Sequence, residues 1–195
     1  MNATVPDGVP VLGRGRHHPG QGACLMEATA LLAGRSHTDR PDCVHPLIAA
    51  VARIVNDAVS DPARQHLLRL APAMATTATD DPRVTDDLTI LVCGRALPVA
   101  LPIWAPALRR ALRHARRRLD NGHPPLTRWQ RCRAQAAVRY AAVSLVLATT
   151  QDRDQQLTTL LVDCLATAEH AKTGRHPKPT TTPRPTDSHT GSSRL

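Results

Sequence analysis

Five residues in the first third of the chain, Cys24, Glu27, Asp39, Cys43 and Asp57, are of the types that hold metals, move protons or attack electrophiles. They fall within a run from Gly22 to Ser60 that also carries His37 and His45. Cys24, His37, Cys43 and His45 make up a Cys2His2 set of the chemistry that binds zinc tetrahedrally, although their spacing follows no familiar zinc pattern. Glu27, Asp39, Asp57 and His37 would instead form an acid/base cluster if the flanking helices fold back on one another. A plainer reading competes with both. Cysteines at helix contacts act as small hydrophobes, and Asp39 and Asp42 beside Pro41 satisfy the backbone donors of a turn. The five residues therefore mark a cluster that is either functional or structural, and their mutual placement decides which.

A second set of residues carries charge rather than reactivity. Residues 104–150 hold ten Arg against Asp120 alone, a balance of +9, whereas 1–103 balance at −1 and 151–195 at +1. At about 100° per residue, Arg109, Arg110, Arg113, Arg116 and Arg117 share one arc of a helix, and Leu108, Leu112, Ala115 and Leu119 share another. Arg128, Arg131 and Arg139 form a stripe on the next helix. Clustered guanidinium groups attract polyanions and fork onto phosphate oxygens, so this hairpin is the candidate surface for phosphates or an acidic partner; the alternative is a solvated helix face. Stacking platforms for single-stranded bases look almost absent, since the chain has two Trp, one Tyr and no Phe. The break at 120–125 is also longer than the tight turn of a helix-turn-helix, which argues against sequence-specific DNA reading.

The elements that must position these residues are helices. The first 21 residues, rich in Gly and Pro, lack the apolar surface to offset their ordering entropy and are expected to form a mobile arm. From Gly22 the pattern predicts a helix with Leu25, Ala28 and Leu32 on one face, ending at Gly34. Leu47, Ile48, Val51, Ile54, Val55 and Ala58 then form the clearest apolar stripe, on a helix starting near Cys43 or Val44. Ser60-Asp61-Pro62 and Asp80-Asp81-Pro82 each supply a cap and an early proline for a further helix. Leu97–Pro106 is a proline-punctuated connector into the first Arg-bearing helix. A long helix from about Thr127 to Thr149 aligns Trp129, Ala136, Tyr140, Val143 and Leu147, and a last one carries Leu157, Leu160, Leu161, Cys164 and Leu165. The expected fold is an all-α bundle of about six or seven helices over 22–172, with tails at 1–21 and 173–195.

Several function classes find no support. The sequence has no G-x-x-x-x-G-K-[ST], no G-x-S-x-G and no H-E-x-x-H, and Gly13, Gly15, Gly20 and Gly22 read as linker, so no cofactor is expected. The longest nearly uninterrupted apolar stretch, 96–108, contains three prolines and falls short of the roughly 20 residues that cross a bilayer. No signal-peptide core occurs near the start, and the five widely spread cysteines read as reduced, mostly buried thiols, so the expected location is cytoplasmic.

The run CLMEATALLAG at 24–34, HTDRPDCVHPLIAAVARIVNDAVSD at 37–61, DPRV at 81–84 and CGRALPV at 93–99 resembles a group of small uncharacterised proteins from high-GC actinobacteria. That resemblance covers about the first half of the chain. It marks Cys24, Glu27, Asp39, Pro41, Cys43, Asn56 and Asp57 as matching positions and implies no activity. The leading expectation is a non-enzymatic helical interaction or regulatory module acting on a protein partner or on itself. The alternatives are a nucleic-acid-associated accessory protein that binds phosphates through the Arg-rich helices, and a metal-binding protein or small-molecule enzyme built on the Cys24, Glu27, Asp39 and Cys43 region.

Overall fold

The computed structural model describes residues 11–15, 17–18, 22–149 and 151–173. Among these the chain is all-α, with no strand and one isolated bridge between Leu12 and Ala23. The helices are α1 (Leu25–Leu32), α2 (Pro46–Ala58), α3 (Asp61–Leu67), α4 (Ala71–Met74), α5 (Pro82–Ala96), α6 (Ala105–Asp120), α7 (Arg128–Ala148) and α8 (Arg153–Thr173). One 3-10 turn at Leu68–Leu70 joins α3 to α4, making them a single bent segment, so the described chain builds a bundle of the expected size. Among the described residues no helix is long and apolar enough to cross a membrane.

Local chemistry sets most helix starts. Ser60, Asp81 and Thr127 accept the amides of Ala63, Arg83 and Gln130 at 3.5, 2.9 and 3.2 Å. Gln130 returns the contact by accepting the Thr127 amide at 2.8 Å, closing a capping box. Helix α2 begins at Pro46 rather than at Cys43 or Val44. The proline ring disfavours a helical ψ in the residue before it, and His45 is accordingly non-helical at ψ 133°, so the helix cannot extend ahead of Pro46.

The core has no Phe, Trp or Tyr among its fully buried side chains; Leu25, Met26, Ile48, Leu67, Met74, Leu88, Leu108, Leu157 and Leu161 dominate it. Helix α1 is enclosed on all sides from Leu25 to Ala30, while Leu32, expected on the inner face, is over 40% exposed at its end, as is Leu31 beside it. Helix α5 packs against α6, α7 and α8, and α2 packs against α7 and α8.

Helix α7 is rotated from the expected face. Trp129, Tyr140 and Leu147 are exposed, and the helix instead buries Ala137, Val138, Ala141 and Ala142. The apolar residues of 136–148 run almost all round this helix, so periodicity does not select a face; small residues let α7 approach α2 and α5 closely, and the large rings are left outside.

The expected mobile arm also changes where it is described. Leu12 is 2% exposed and its amide and carbonyl bond the Gln65 side chain at 2.9 and 2.8 Å. Gly13 donates to the Ala23 carbonyl at 2.9 Å and receives the Asn56 amide group at 2.9 Å. Residues 11–15 and 17–18 thus form a docked strap over α1, α2 and α3. The rest of the expected arm, and the expected tail at 173–195 apart from Thr173 at the end of α8, lie outside the described residues.

Candidate functional site

The first candidate cluster resolves into structural tasks. Glu27 is fully buried, and its carboxylate accepts the Cys24 amide at 2.7 Å and the His17 amide at 3.0 Å. His17 Nδ1 lies 3.4 Å from the same carboxylate. Asp57, on the exposed side of α2, accepts the Gly15 amide at 2.8 Å. Two of the candidate carboxylates therefore hold the strap in place. Asp39 offers its backbone carbonyl, not its carboxylate, to Arg53 at 2.8 Å. Within the expected acid/base set, His37 acts electrostatically on Glu27, and His37 Nε2 is enclosed without a hydrogen-bond partner among the described residues.

Three of the five thiols are poorly suited to nucleophilic work. Burial pushes Cys24 up to about 11, and Cys93 and Cys164 to about 12, so these thiols stay protonated at neutral pH. Cys43 is buried as well, and Cys132 is exposed.

The four expected zinc ligands do not converge. Among the described residues no three His, Cys, Asp or Glu side chains gather in a metal-holding group. His45 is committed elsewhere: it caps α2 through Nδ1, which accepts the Leu47 amide at 3.3 Å, and its Nε2 lies 3.2 Å from the Thr85 hydroxyl. An Nδ1 that accepts must be unprotonated, so the proton sits on Nε2 and is donated to Thr85. Burial, reinforced by Lys172 and partly opposed by Asp80, pushes the imidazole down to about 4 from an ordinary 6.5. A group whose folded pKa is depressed in this way is protonated first in the unfolded chain. Stability is therefore greatest above pH 6.5 and falls by about 3 kcal/mol in all as the pH drops towards 4. Urea unfolding across that range should show His45→Asn, which keeps a capping side chain but cannot titrate, with a correspondingly shallower loss. Parallel curves for the two proteins would assign the titration to another group.

The Arg set does assemble. Arg109, Arg110, Arg113, Arg116 and Arg117 of α6 and Arg128, Arg131 and Arg139 of α7 are all exposed. Arg131 approaches Asp80 at 3.6 Å, a solvent-exposed pair of small energetic weight. Because α5 packs under both α6 and α7, the two helices leave between them a groove of about 510 Å³. Arg110, Arg113, His114 and Arg117 line one bank, and Trp129, Gln130, Arg133 and Tyr140 the other. Ala111 and Ala137 keep the floor low, with Asp86 and Thr89 of α5 beneath.

Three features of this groove escape the sequence. Arg133 stands over the Trp129 ring at 4.2 Å, a cation–π contact. Trp104 stacks on Tyr140 with ring centroids 5.5 Å apart and planes 18° from parallel. Below them Arg118, 5% exposed, is neutralised by Asp86, whose carboxylate also accepts from His123 Nδ1 at 3.0 Å. A basic residue beside the apolar arc of α6 was the only available signal for Arg118. Comparison with protein-family models, curated proteins and solved structures finds no match, so the chemistry of the site rests on these residues themselves.

Proposed function

We propose that this protein is a non-enzymatic binding module whose working surface is the α6–α7 hairpin and whose ligand is a nucleic acid. The observation that carries the reading is the concentration of exposed guanidinium groups, Arg109, Arg110, Arg113, Arg116 and Arg117 on one helix and Arg128, Arg131 and Arg139 on the next, with Arg110, Arg113 and Arg117 lining the groove between the two helices. The excess of +9 over residues 104–150 gives that surface a field that draws a phosphate backbone inward, and each planar guanidinium can fork onto phosphate oxygens.

Anisotropy of a fluorescein-labelled oligothymidine, followed against salt, tests the reading. Affinity is expected to fall linearly on log–log axes as salt rises, and Arg109, Arg113 and Arg117 changed together to Ala should flatten that slope by about 2, given about 0.7 counterions per phosphate contact on a single strand. All three side chains are exposed, so the helical circular dichroism should not change. No binding at low salt, or an unchanged slope in the triple variant, refutes the proposal. Salt-insensitive capture of a single protein would favour the partner or self-association reading instead, for which Val99, Leu101 and Ile103 on the exposed connector before α6 offer an apolar surface.

A further inference from the structure

We infer that the α6–α7 groove is a subsite for an unpaired nucleic-acid strand, in which bases stack on Trp129 and Tyr140 while phosphates engage Arg110, Arg113 and Arg117. The inference rests on the nucleic-acid reading of the hairpin and adds to it which form of nucleic acid is bound and by which residues.

The distribution of aromatic rings is the first ground. The chain has two Trp, one Tyr and no Phe, and none of these rings is fully buried: Trp104 packs half-buried against the core, while Trp129 and Tyr140 stand exposed. All three meet at this hairpin: Trp104 precedes α6 and stacks on Tyr140, while Tyr140 and Trp129 line the groove. A ring left in water forgoes the burial worth about 1.5 to 3 kcal/mol that a core position would give it. Trp129 is 65% exposed and Tyr140 43% exposed, so this forgone burial is substantial at two adjacent sites.

The second ground is geometry. Trp129, Arg133, Ala136, Ala137 and Tyr140 recur at steps of three and four and so share one face of α7, with the two rings about 16 Å apart along the axis at 1.5 Å per residue. Arg133 covers Trp129 and Trp104 backs Tyr140, so each ring is held on one side and still offers surface to a ligand. Alanines between them leave room for flat groups. Across the groove, the guanidinium groups of Arg110, Arg113 and Arg117 supply the charge that a strand's backbone needs. Aromatic platforms along a cationic groove are the arrangement by which unpaired strands are held without regard to sequence. A duplex keeps its bases stacked on one another and can offer this groove only its backbone.

Trp129 lines the groove, while Trp104, the other tryptophan, stacks on Tyr140 and packs against the core, so intrinsic fluorescence of the full protein reports on the groove mainly through Trp129. Titration with oligothymidine and with oligouridine should quench it, the stronger quench and tighter binding telling a DNA strand from an RNA one, and a duplex of matched length should bind at least about tenfold more weakly at the same salt. By anisotropy of the labelled strand, Trp129→Ala and Tyr140→Ala should each weaken binding about tenfold without altering the salt slope, and Trp129→Phe should restore most of it. If both Ala variants bind as the wild type does while the Arg triple variant does not, the subsite is wrong and the phosphate surface stands. If no nucleic acid binds at all, the proposed function itself fails. Equal affinity for the duplex, or polyglutamate binding with the same dependence on Trp129, also overturns the subsite, the latter in favour of an acidic peptide.

Discussion

Asp86→Ala is expected to lower folding stability by about 3 to 5 kcal/mol, the usual consequence of stranding a buried charge. Arg118 Nε donates to both Asp86 oxygens, at 3.0 and 3.1 Å, with the two side chains 6% and 4% exposed. His123 Nδ1 donates to the second oxygen at 3.0 Å, and Arg118 also donates to the Pro124 carbonyl. Without the carboxylate, a guanidinium with little access to water keeps only its carbonyl partner and His123 loses its acceptor. Urea unfolding should show a lowered midpoint at an unchanged slope. Arg118→Met added to Asp86→Ala should recover much of the loss, since an apolar pair of similar volume often replaces a buried ion pair at little cost. A single variant within about 1 kcal/mol of the wild type would mean that the pair is not what neutralises Arg118. The consequence reaches the groove, because this pair ties the end of α6 and the turn at Gly122 and His123, both at positive φ, to α5.

The fold was readable where the deciding interactions are local. Ser60, Asp81 and Thr127 cap the helices that follow them within three residues, and Pro46, Pro62 and Pro82 sit near helix starts where proline does no harm. Reading failed where partners are distant. The strap at 11–15 and 17–18 has a Gly-rich composition that promises no core, yet its amides and carbonyls find Glu27, Asn56, Asp57 and Gln65, up to 53 positions away. The face of α7 was unreadable for a different reason: Ala, Val and Leu ring the helix, and only close approach to α2 and α5 decides that the small residues go in.

The same division holds for the site. The Arg arc of α6 follows from 100° periodicity and is exposed as expected, whereas Arg118 needs Asp86, 32 residues earlier, to explain its burial. Counting aromatic residues made stacking platforms look absent. Composition says how many rings a chain has, but only packing says that all of them stand together beside the charges.

Glu27→Ala is expected to be comparably damaging, at about 3 to 5 kcal/mol, because one carboxylate does two jobs that nothing nearby can take over. It caps the start of α1 through the Cys24 amide and tethers the strap through the His17 amide, and Leu12 enters the core on that same strap. Loss of the carboxylate leaves a buried amide unsatisfied at the helix start and frees the strap to detach. Hydrogen exchange should therefore show protection lost first at residues 12–15 and 17, and proteolysis should cut there before the bundle unfolds. Glu27→Gln separates shape from charge: its NH2 group must face an amide donor where an oxygen stood, so a smaller loss of about 2 kcal/mol is expected. Burial acts to raise the Glu27 pKa and is the strongest single influence, but the Cys24 and His17 amides, aided by His37, outweigh it and hold the carboxyl below its usual 4.5. A carboxylate with a depressed folded pKa contributes stability that is complete above the unfolded value and is lost as pH falls through the folded one. The gap between wild type and Glu27→Gln should accordingly be full near neutrality and close in acid. A gap that stayed constant on acidification would show that oxygen geometry, rather than negative charge, is what the two amides require.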